Sequence, residues 1–172
     1  MSTIRHLLVP GILLISLPAA AQGWSLDTEF GPDNYLQLTA DYHGYIVINA
    51  SNVTLDLGGH SIIGDNIHSG IVISNRSNVT VQNGYIRNSL NGLHVIGGSG
   101  HTFNNLVSSN NIAEGFLIEN MGLNGNSHFN SCTSHDNGEE RFKVDNSDHL
   151  DLDHVQSHHN GIEGFSFTAA CN

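Results

Sequence analysis

A short motif recurs five times along this chain: an asparagine, three residues, a glycine and then an apolar–any–apolar triplet. The motifs begin at Asn66, Asn88, Asn111, Asn137 and Asn160, which are separated by 22, 23, 26 and 23 residues. The fourth copy has arginine in place of the glycine. Repeats of this length are typical of stacked supersecondary units, because one unit alone cannot bury its apolar face.

Inside each repeat the apolar residues alternate with period two, which indicates short strands rather than helices. Each repeat has three strand-like pieces, and one residue of the second piece is predicted to face inward in every coil. This inward ladder comprises Leu55, Val81, Phe103, Phe129 and Leu152. The sequence therefore predicts an all-β fold, a single-stranded right-handed parallel β-helix of about six coils with three short strands per coil.

The chain is predicted to consist of a leader, an entry segment and the repeats. Residues 1–21 have the pattern of a secretory signal peptide, since Arg5 and His6 precede the apolar run 7–17 and small residues precede a cleavage site near Ala21. Residues 22–43 are predicted to form an N-terminal cap and first strand, and residues 44–172 the β-helix repeats. No other segment approaches the roughly 20 apolar residues of a membrane span. We therefore expect a secreted or periplasmic protein without a membrane partner.

The C-terminal end of the predicted stack is open. The chain stops at Asn172, directly after the sixth strand of the glycine-led type, without a capping element. An uncapped end exposes strand edges and apolar side chains. We expect either that the gene product is truncated or that another molecule, by self-association for example, covers this end.

The recurrent asparagines have a structural interpretation. Asn tolerates the left-handed conformation that tight corners demand, and stacked amides can form hydrogen bonds from coil to coil. A second corner of this kind is predicted at Asn75, Asn120 and Asn146, with Gly97 in the remaining coil.

The two cysteines are not predicted to be nucleophiles. Cys132 aligns with Leu106 and Val155 in the repeat, which indicates a buried thiol. Cys171 is out of register with Cys132, so a disulfide, which an oxidising compartment would permit, requires the chain end to fold back.

The charge of the chain is strongly negative. It has 16 acidic residues and five Lys or Arg, and removal of the leader takes away Arg5 and leaves a charge of −12. Nucleic-acid binding needs a basic footprint that four cations do not provide, so we expect no nucleic-acid partner. Acidity suits an exported protein that holds cations, and simple solubility is the alternative.

The position before each repeat glycine is the first candidate site, because it carries Glu114, Glu140 and Glu163 in successive coils. On an outward column these carboxylates would be about 4.8 Å apart and would repel, so a cation is expected to relieve them. Oxygen ligands suit Ca²⁺. Lys143 and Arg141 lie in the middle coil and could neutralise the column instead, or act as base and charge stabiliser on a polyuronate. The alternative is an exposed ion-pair cluster of little energetic value.

A second outward column is polar and amide-rich. In it, His128 next to Asp151 is a candidate for a general base oriented by a carboxylate. The neighbouring Asn104, Asn130 and Asp153 are candidates for binding sugar hydroxyls. The alternative is the ordinary solvated face of a sheet.

A third cluster is formed by histidines. His135 is predicted to lie over His158, a spacing suitable for a shared Cu²⁺ or Zn²⁺. The alternative is that histidine is merely tolerated in a turn region.

Two sets of residues resemble known β-helix repeats. The run Ala-Ser-Asn-Val-Thr-Leu-Asp-Leu-Gly-Gly-His at 50–60 resembles the opening coil of secreted proteins of the pectate-lyase-like superfamily. The segments Thr-Ser-His-Asp-Asn-Gly at 133–138 and Gln-Ser-His-His-Asn-Gly at 156–161 look like repeats of bacterial alginate C5-epimerase modules. They are also similar to repeats of periplasmic β-helix proteins of copper handling and nitrous-oxide-reductase maturation. The resemblance covers most of residues 34–167 and implies a fold rather than an activity.

No family motif assigns a catalytic residue to this chain. The epimerase stretch Tyr-Gly-Phe-Asp-Pro-His does not occur, and the sequence has no proline after Pro32. The leading hypothesis is a secreted carbohydrate-active protein that binds an acidic polysaccharide and modifies it by lyase or epimerase chemistry. The alternative is a non-catalytic periplasmic protein, either a copper-type metal-handling factor or a structural polysaccharide-binding module.

Overall fold

A computed structural model describes residues 5–9, 12–16, 22–27, 29–31, 33–122, 126–139, 142–147, 149–162 and 164–168 of the chain, and these residues contain no helix. In chain order the strands are β1 (Arg5–Val9), β2 (Ile12–Ser16), β3 (Gln22–Leu26), β4 (Tyr35–Leu38), β5 (Tyr42–Ile48), β6 (Val53–Asp56), β7 (Ser61–Ile63), β8 (Ile71–Ser74), β9 (Val79–Arg87), β10 (Leu93–Ile96), β11 (Thr102–Ser109), β12 (Phe116–Glu119), β13 (Ser127–Asn130), β14 (Thr133–His135), β15 (Phe142–Asp145), β16 (Leu150–Asp153), β17 (Gln156–His158) and β18 (Phe165–Thr168).

The strands form three parallel sheets that the chain visits in turn. The first sheet contains β3, the second half of β5, β8, β10, β12, β15 and β18. The second contains β2, β4, β6, the first halves of β9 and β11, β13 and β16. The third contains the start of β5, β7, the second halves of β9 and β11, β14 and β17. About six coils therefore stack directly on one another, and the predicted parallel β-helix architecture is confirmed.

The core lies between the three sheets as files of apolar side chains. The predicted ladder is present, because Leu55, Val81, Phe103, Phe129 and Leu152 are paired in register from coil to coil. Its first four members are 0–1% exposed, and Leu152 packs against the core from a partly buried position. A parallel file in the first sheet includes Phe116 and Phe142, whose ring centroids are 5.4 Å apart. Period-two alternation in each strand thus produces a continuous apolar interior.

The corners between sheets are formed by residues with positive φ. The predicted second corner is confirmed, since Asn75, Gly97, Asn120 and Asn146 have φ between 44° and 66°. Asn146 Nδ2 donates to Asn120 Oδ1 at 2.8 Å, so the amides also link coils. A Cβ at Gly97 would lie 2.6 Å from Asn75 Oδ1, so a side chain at this position would require the Asn75 amide to shift.

The five repeat asparagines divide into two groups. Asn66 and Asn88 have positive φ and act as corners, as predicted. Asn111, Asn137 and Asn160 instead lie one position later, after the corner residues Asn110, Asp136 and His159. Asn111 and Asn137 are 3% exposed, and Asn160 is partly buried. The reason is turn length: five residues separate β9 from β10, whereas six separate β11 from β12. Alignment of the repeats by sequence spacing equated Asn88 with Asn111, although the longer turn places the two residues at different positions.

The two ends of the stack differ. At the N-terminal end β1 pairs antiparallel with β2, and β2 continues the second sheet through β4. At the other end β16, β17 and β18 each pair, within the described residues, with one neighbouring strand only. Phe165 and Phe167 of β18 are 38% and 50% exposed. The signal peptide, the domain boundaries and a partner at the open end remain predictions.

Candidate functional site

Glu114 is the described member of the predicted glutamate column, and it is buried. It is 5% exposed, and Asn91, the equivalent residue one coil earlier, is 6% exposed. The Glu114 side chain is therefore not openly exposed to solvent, and its carboxylate contacts a residue of the next coil. Glu140 and Glu163 lie outside the described residues, so the three-carboxylate stack and its Ca²⁺ remain predictions.

Lys143 is the partner of the buried glutamate. Its Nζ lies 3.2 Å from Glu114 Oε1, and the Lys143 side chain is 30% exposed. A general base requires the neutral amine, whereas this ion pair is made by the ammonium. The contact therefore supports a charge-compensating role at least as well as the predicted base. Arg141, the predicted charge stabiliser, lies outside the described residues.

The second sheet brings its predicted site residues together on one exposed face. His128 Nδ1 and Asp151 Oδ2 are 3.2 Å apart across the adjacent strands β13 and β16. Asn104, Asn130 and Asp153 are paired in register beside them. Lys143, however, is on β15 in the first sheet. Of the described catalytic candidates, Lys143 therefore lies on a different face of the coil from His128 and Asp151.

The histidines of the third sheet also stack as predicted. The rings of His135 and His158 have centroids 5.3 Å apart and planes 6° from parallel. His135 Nδ1 lies 2.7 Å from Asp136 Oδ2, and His158 Nδ1 lies 3.0 Å from His159 Nδ1. The hydrogen bond to His135 lowers the pKa of Asp136. Across the described ranges, no group of three or more His, Cys, Asp or Glu side chains is placed to hold a metal ion.

The third sheet also carries a groove that sequence reasoning missed, here called the third-sheet groove. It has a volume of about 400 Å³. Its lining residues are Ser61, Tyr85, Arg87, Val107, Ser109, Asn110 and His135. The sequence contained one signal for this groove, the alternation in Tyr85-Ile86-Arg87. Ile86 is fully buried, so the aromatic ring of Tyr85 and the guanidinium of Arg87 point outward.

Two lining residues are chemically distinctive. Tyr85 is 47% exposed although most aromatic side chains of the chain pack inward. Arg87 is partly buried, and its guanidinium forms no hydrogen bond or ion pair with any other described residue. An unpaired cation is notable in a chain of charge −11. The groove thus offers a cation beside an aromatic face.

The buried carboxylate of Asp56 has a structural role. Asp56 is 5% exposed and accepts hydrogen bonds from Tyr35 Oη, Gly58 N, Gln82 Nε2 and Asn83 Nδ2 at 2.6–3.0 Å. Burial alone would raise the pKa of Asp56, but these hydrogen bonds outweigh it and lower the pKa. A carboxylate so fully bonded has little capacity to take a proton from a substrate.

The predicted buried thiol is confirmed. Cys132 is 0% exposed, and burial raises its pKa to about 11, so it is not a nucleophile at neutral pH. Cys171 lies outside the described residues.

Comparison of the chain with models of protein families, with curated proteins and with solved structures finds no match. No helix long and apolar enough to cross a membrane occurs among the described residues. The parallel β-helix is thus established by the stacking itself, and membership of the pectate-lyase-like superfamily remains a prediction.

Proposed function

We propose that this chain binds an acidic polysaccharide in the third-sheet groove. The observation that carries the proposal is the unpaired guanidinium of Arg87 beside the exposed ring of Tyr85. A guanidinium can hold a carboxylate through two parallel hydrogen bonds, and an exposed aromatic ring offers a flat apolar surface to a sugar ring. Together they match the carboxylate and the pyranose face of a uronate.

The charge distribution supports the location of binding. An acidic polymer is repelled by a strongly negative protein as a whole. None of the seven lining residues of the groove is acidic, and one of them is a cation. A polymer that enters the groove therefore meets a cation and no lining carboxylate. An exported protein, as the leader predicts, would encounter such polymers.

Binding to pectin, alginate and a neutral glucan, measured by calorimetry, tests the proposal. We expect Arg87→Gln to weaken binding of the acidic polymers about tenfold or more, because a hydrogen bond between charged partners is lost. Tyr85→Ala should weaken it by a smaller factor. Arg76→Gln is the matched control, since it removes the same charge at a site outside the groove. Equal losses in Arg76→Gln and Arg87→Gln, or no binding of any acidic polymer, would contradict the proposal.

A modifying activity is a separate proposal, because its candidate residues lie on the second sheet and not in the groove; it is supported by the His128–Asp151 contact of 3.2 Å. A base would remove the C5 proton of a uronate next to its carboxylate. In a lyase the C4–O bond then breaks, the departing oxygen takes up a proton to become a hydroxyl group and the C4–C5 double bond forms, whereas in an epimerase a proton returns to C5 from the opposite face. His128 is one candidate base, while Lys143 as base and Arg141 as charge stabiliser are the other predicted candidates. Proton NMR of alginate and pectin would detect either product, and loss in His128→Gln but not in Lys143→Gln would assign the face.

The competing proposal is metal handling at the stacked histidines. The parallel arrangement of His135 and His158 favours it, although no third ligand joins them within the described residues. Copper titration distinguishes the two proposals. Tight Cu²⁺ binding that is lost in a His135→Ala/His158→Ala double variant, together with no polysaccharide binding, would favour metal handling.

A further inference from the structure

We propose that the third-sheet groove selects a sparsely carboxylated polysaccharide, which lies along the coil axis with a uronate at Arg87 and uncharged sugars near His135. This inference rests on the proposed function and adds to it the substrate class and orientation.

The direction of the ligand follows from a straight ladder of polar side chains. Arg87, Ser109, His135 and His158 occupy equivalent positions in four successive coils and are paired in register. Adjacent strands lie about 4.8 Å apart, so the ladder extends over about 14 Å. The measured ring separation of 5.3 Å between His135 and His158 agrees with this spacing. A linear polymer laid along the axis can contact every rung, whereas one laid across the coils meets a single rung.

The rungs differ in what they can bind. Arg87 is a donor with a fixed positive charge and suits a carboxylate. His135 donates from Nδ1 to Asp136 at 2.7 Å, so in its neutral form Nε2 is left as an acceptor. His158 Nδ1 is likewise engaged, by His159. The histidine end of the ladder is therefore suited to sugar hydroxyl groups.

Asp136 makes the two ends electrostatically opposite. It follows β14 directly, its side chain is 52% exposed, and it lies beside His135, two coils from Arg87. A second carboxylate on the ligand, about 10 Å from the one at Arg87, would approach Asp136. When this second carboxylate comes within the Debye length of Asp136, which is about 8 Å at physiological ionic strength, the two negative charges repel each other. A ligand with a carboxylate on every sugar is therefore disfavoured.

Oligogalacturonates of one length and graded methyl esterification test the inference, because esterification removes charge without changing the backbone. Titrations at about 0.15 M salt limit long-range repulsion. We expect affinity to be highest at intermediate esterification, lower by severalfold for the fully charged oligomer and lower again for the fully esterified one. Asp136→Asn should raise the affinity of the fully charged oligomer severalfold and leave the intermediate ones within about twofold.

The controls separate this inference from the proposed function. Asn is compatible with the positive φ of 55° at position 136, so Asp136→Asn is expected to fold. Asp33→Asn makes the same charge change at an exposed position outside the groove and should leave the preference unaltered. Affinity that rises steadily with carboxylate number, or equal gains in both variants, would overturn the inference alone. Failure of every oligomer to bind would overturn the proposed function as well.

Discussion

His101 is an unusual core residue because it is 0% exposed and neither ring nitrogen makes a well-aligned hydrogen bond among the described residues, although backbone groups of Gly97, Val79 and Arg76 lie near the ring. Its ring stacks on Phe103, with centroids 5.9 Å apart. The equivalent residue one coil earlier is Val79, as the pairing of Thr102 with Thr80 shows. Burial lowers the pKa of His101 from its ordinary 6.5, because the charged form would lose its hydration.

Replacement of His101 should reduce the acid sensitivity of the fold. Below about pH 6.5 the unfolded chain takes up a proton at His101, whereas the buried ring of the folded chain resists protonation. The free energy of unfolding therefore decreases as the pH is lowered, and this group contributes at most about 1.4 kcal/mol per pH unit. Urea unfolding between pH 7 and pH 5 should therefore show a smaller loss of free energy in His101→Val than in the parent chain. His43→Val, at an exposed position of β5, is the control and should leave the pH dependence unchanged. Parallel pH profiles for the parent chain and His101→Val would refute the assignment.

At the scale of elements, a ladder of buried amides holds the turns between the third and first sheets together. Asn137 Oδ1 accepts from the backbone N of Asn111 at 3.0 Å and from Asn111 Nδ2 at 2.9 Å. Asn137 Nδ2 donates to Asn160 Oδ1 and Ser134 Oγ, each at 3.0 Å. Each amide uses both its donor and its acceptor, so the ladder transmits register from one turn to the next.

Loss of the central amide should be costly. We expect Asn137→Ala to lower the free energy of unfolding by about 2–3 kcal/mol, because it leaves buried partners unsatisfied. Asn137→Asp should also destabilise, since a carboxylate cannot donate to Asn160. Asn130→Ala, on the exposed face of β13, should change stability by less than about 0.5 kcal/mol. Chemical denaturation of the three variants measures this, and a similar cost at positions 130 and 137 would argue against the ladder.

At the scale of the whole molecule, the stack is a one-dimensional array in which each coil contacts its neighbours. Phe129 links the first and second sheets, with ring centroids 4.4 Å from Phe103 and 4.7 Å from Phe142. In such arrays stability is close to a sum of coil and interface contributions, so damage is expected to be local.

Hydrogen exchange in two core variants of the same ladder should reveal this locality. Phe129→Ala should cost about 3–5 kcal/mol and accelerate exchange mainly in β11, β13 and β16. Leu55→Ala, 0% exposed in an earlier coil, should do so mainly in β4, β6 and β9. Uniform acceleration in both variants would show instead that the coils unfold as one cooperative unit.

Prediction succeeded where one repeat is compared with the next. The inward ladder from Leu55 to Leu152 and the corner at Asn75 follow from alternation and spacing, because these act over a few residues. Sequence reasoning did not anticipate the burial of Glu114 beside Lys143, or the position of Asn111, which a turn one residue longer than that after β9 moves off the corner. It also missed the groove, whose lining comes from four coils.

The sequence by itself determined that this chain forms a stack of short parallel strands. Apolar residues alternate with period two and the pattern repeats every 22–26 residues, so stacking of the repeats buries their apolar faces against one another. The repeat spacing also placed His135 over His158 and His128 beside Asp151, and the tertiary structure decided which of the other polar side chains meet. Turn lengths set the register, and register places Arg87 in line with His135 while it separates Lys143 from His128. Strand formation depends on local pattern, whereas a binding surface depends on how the coils are aligned.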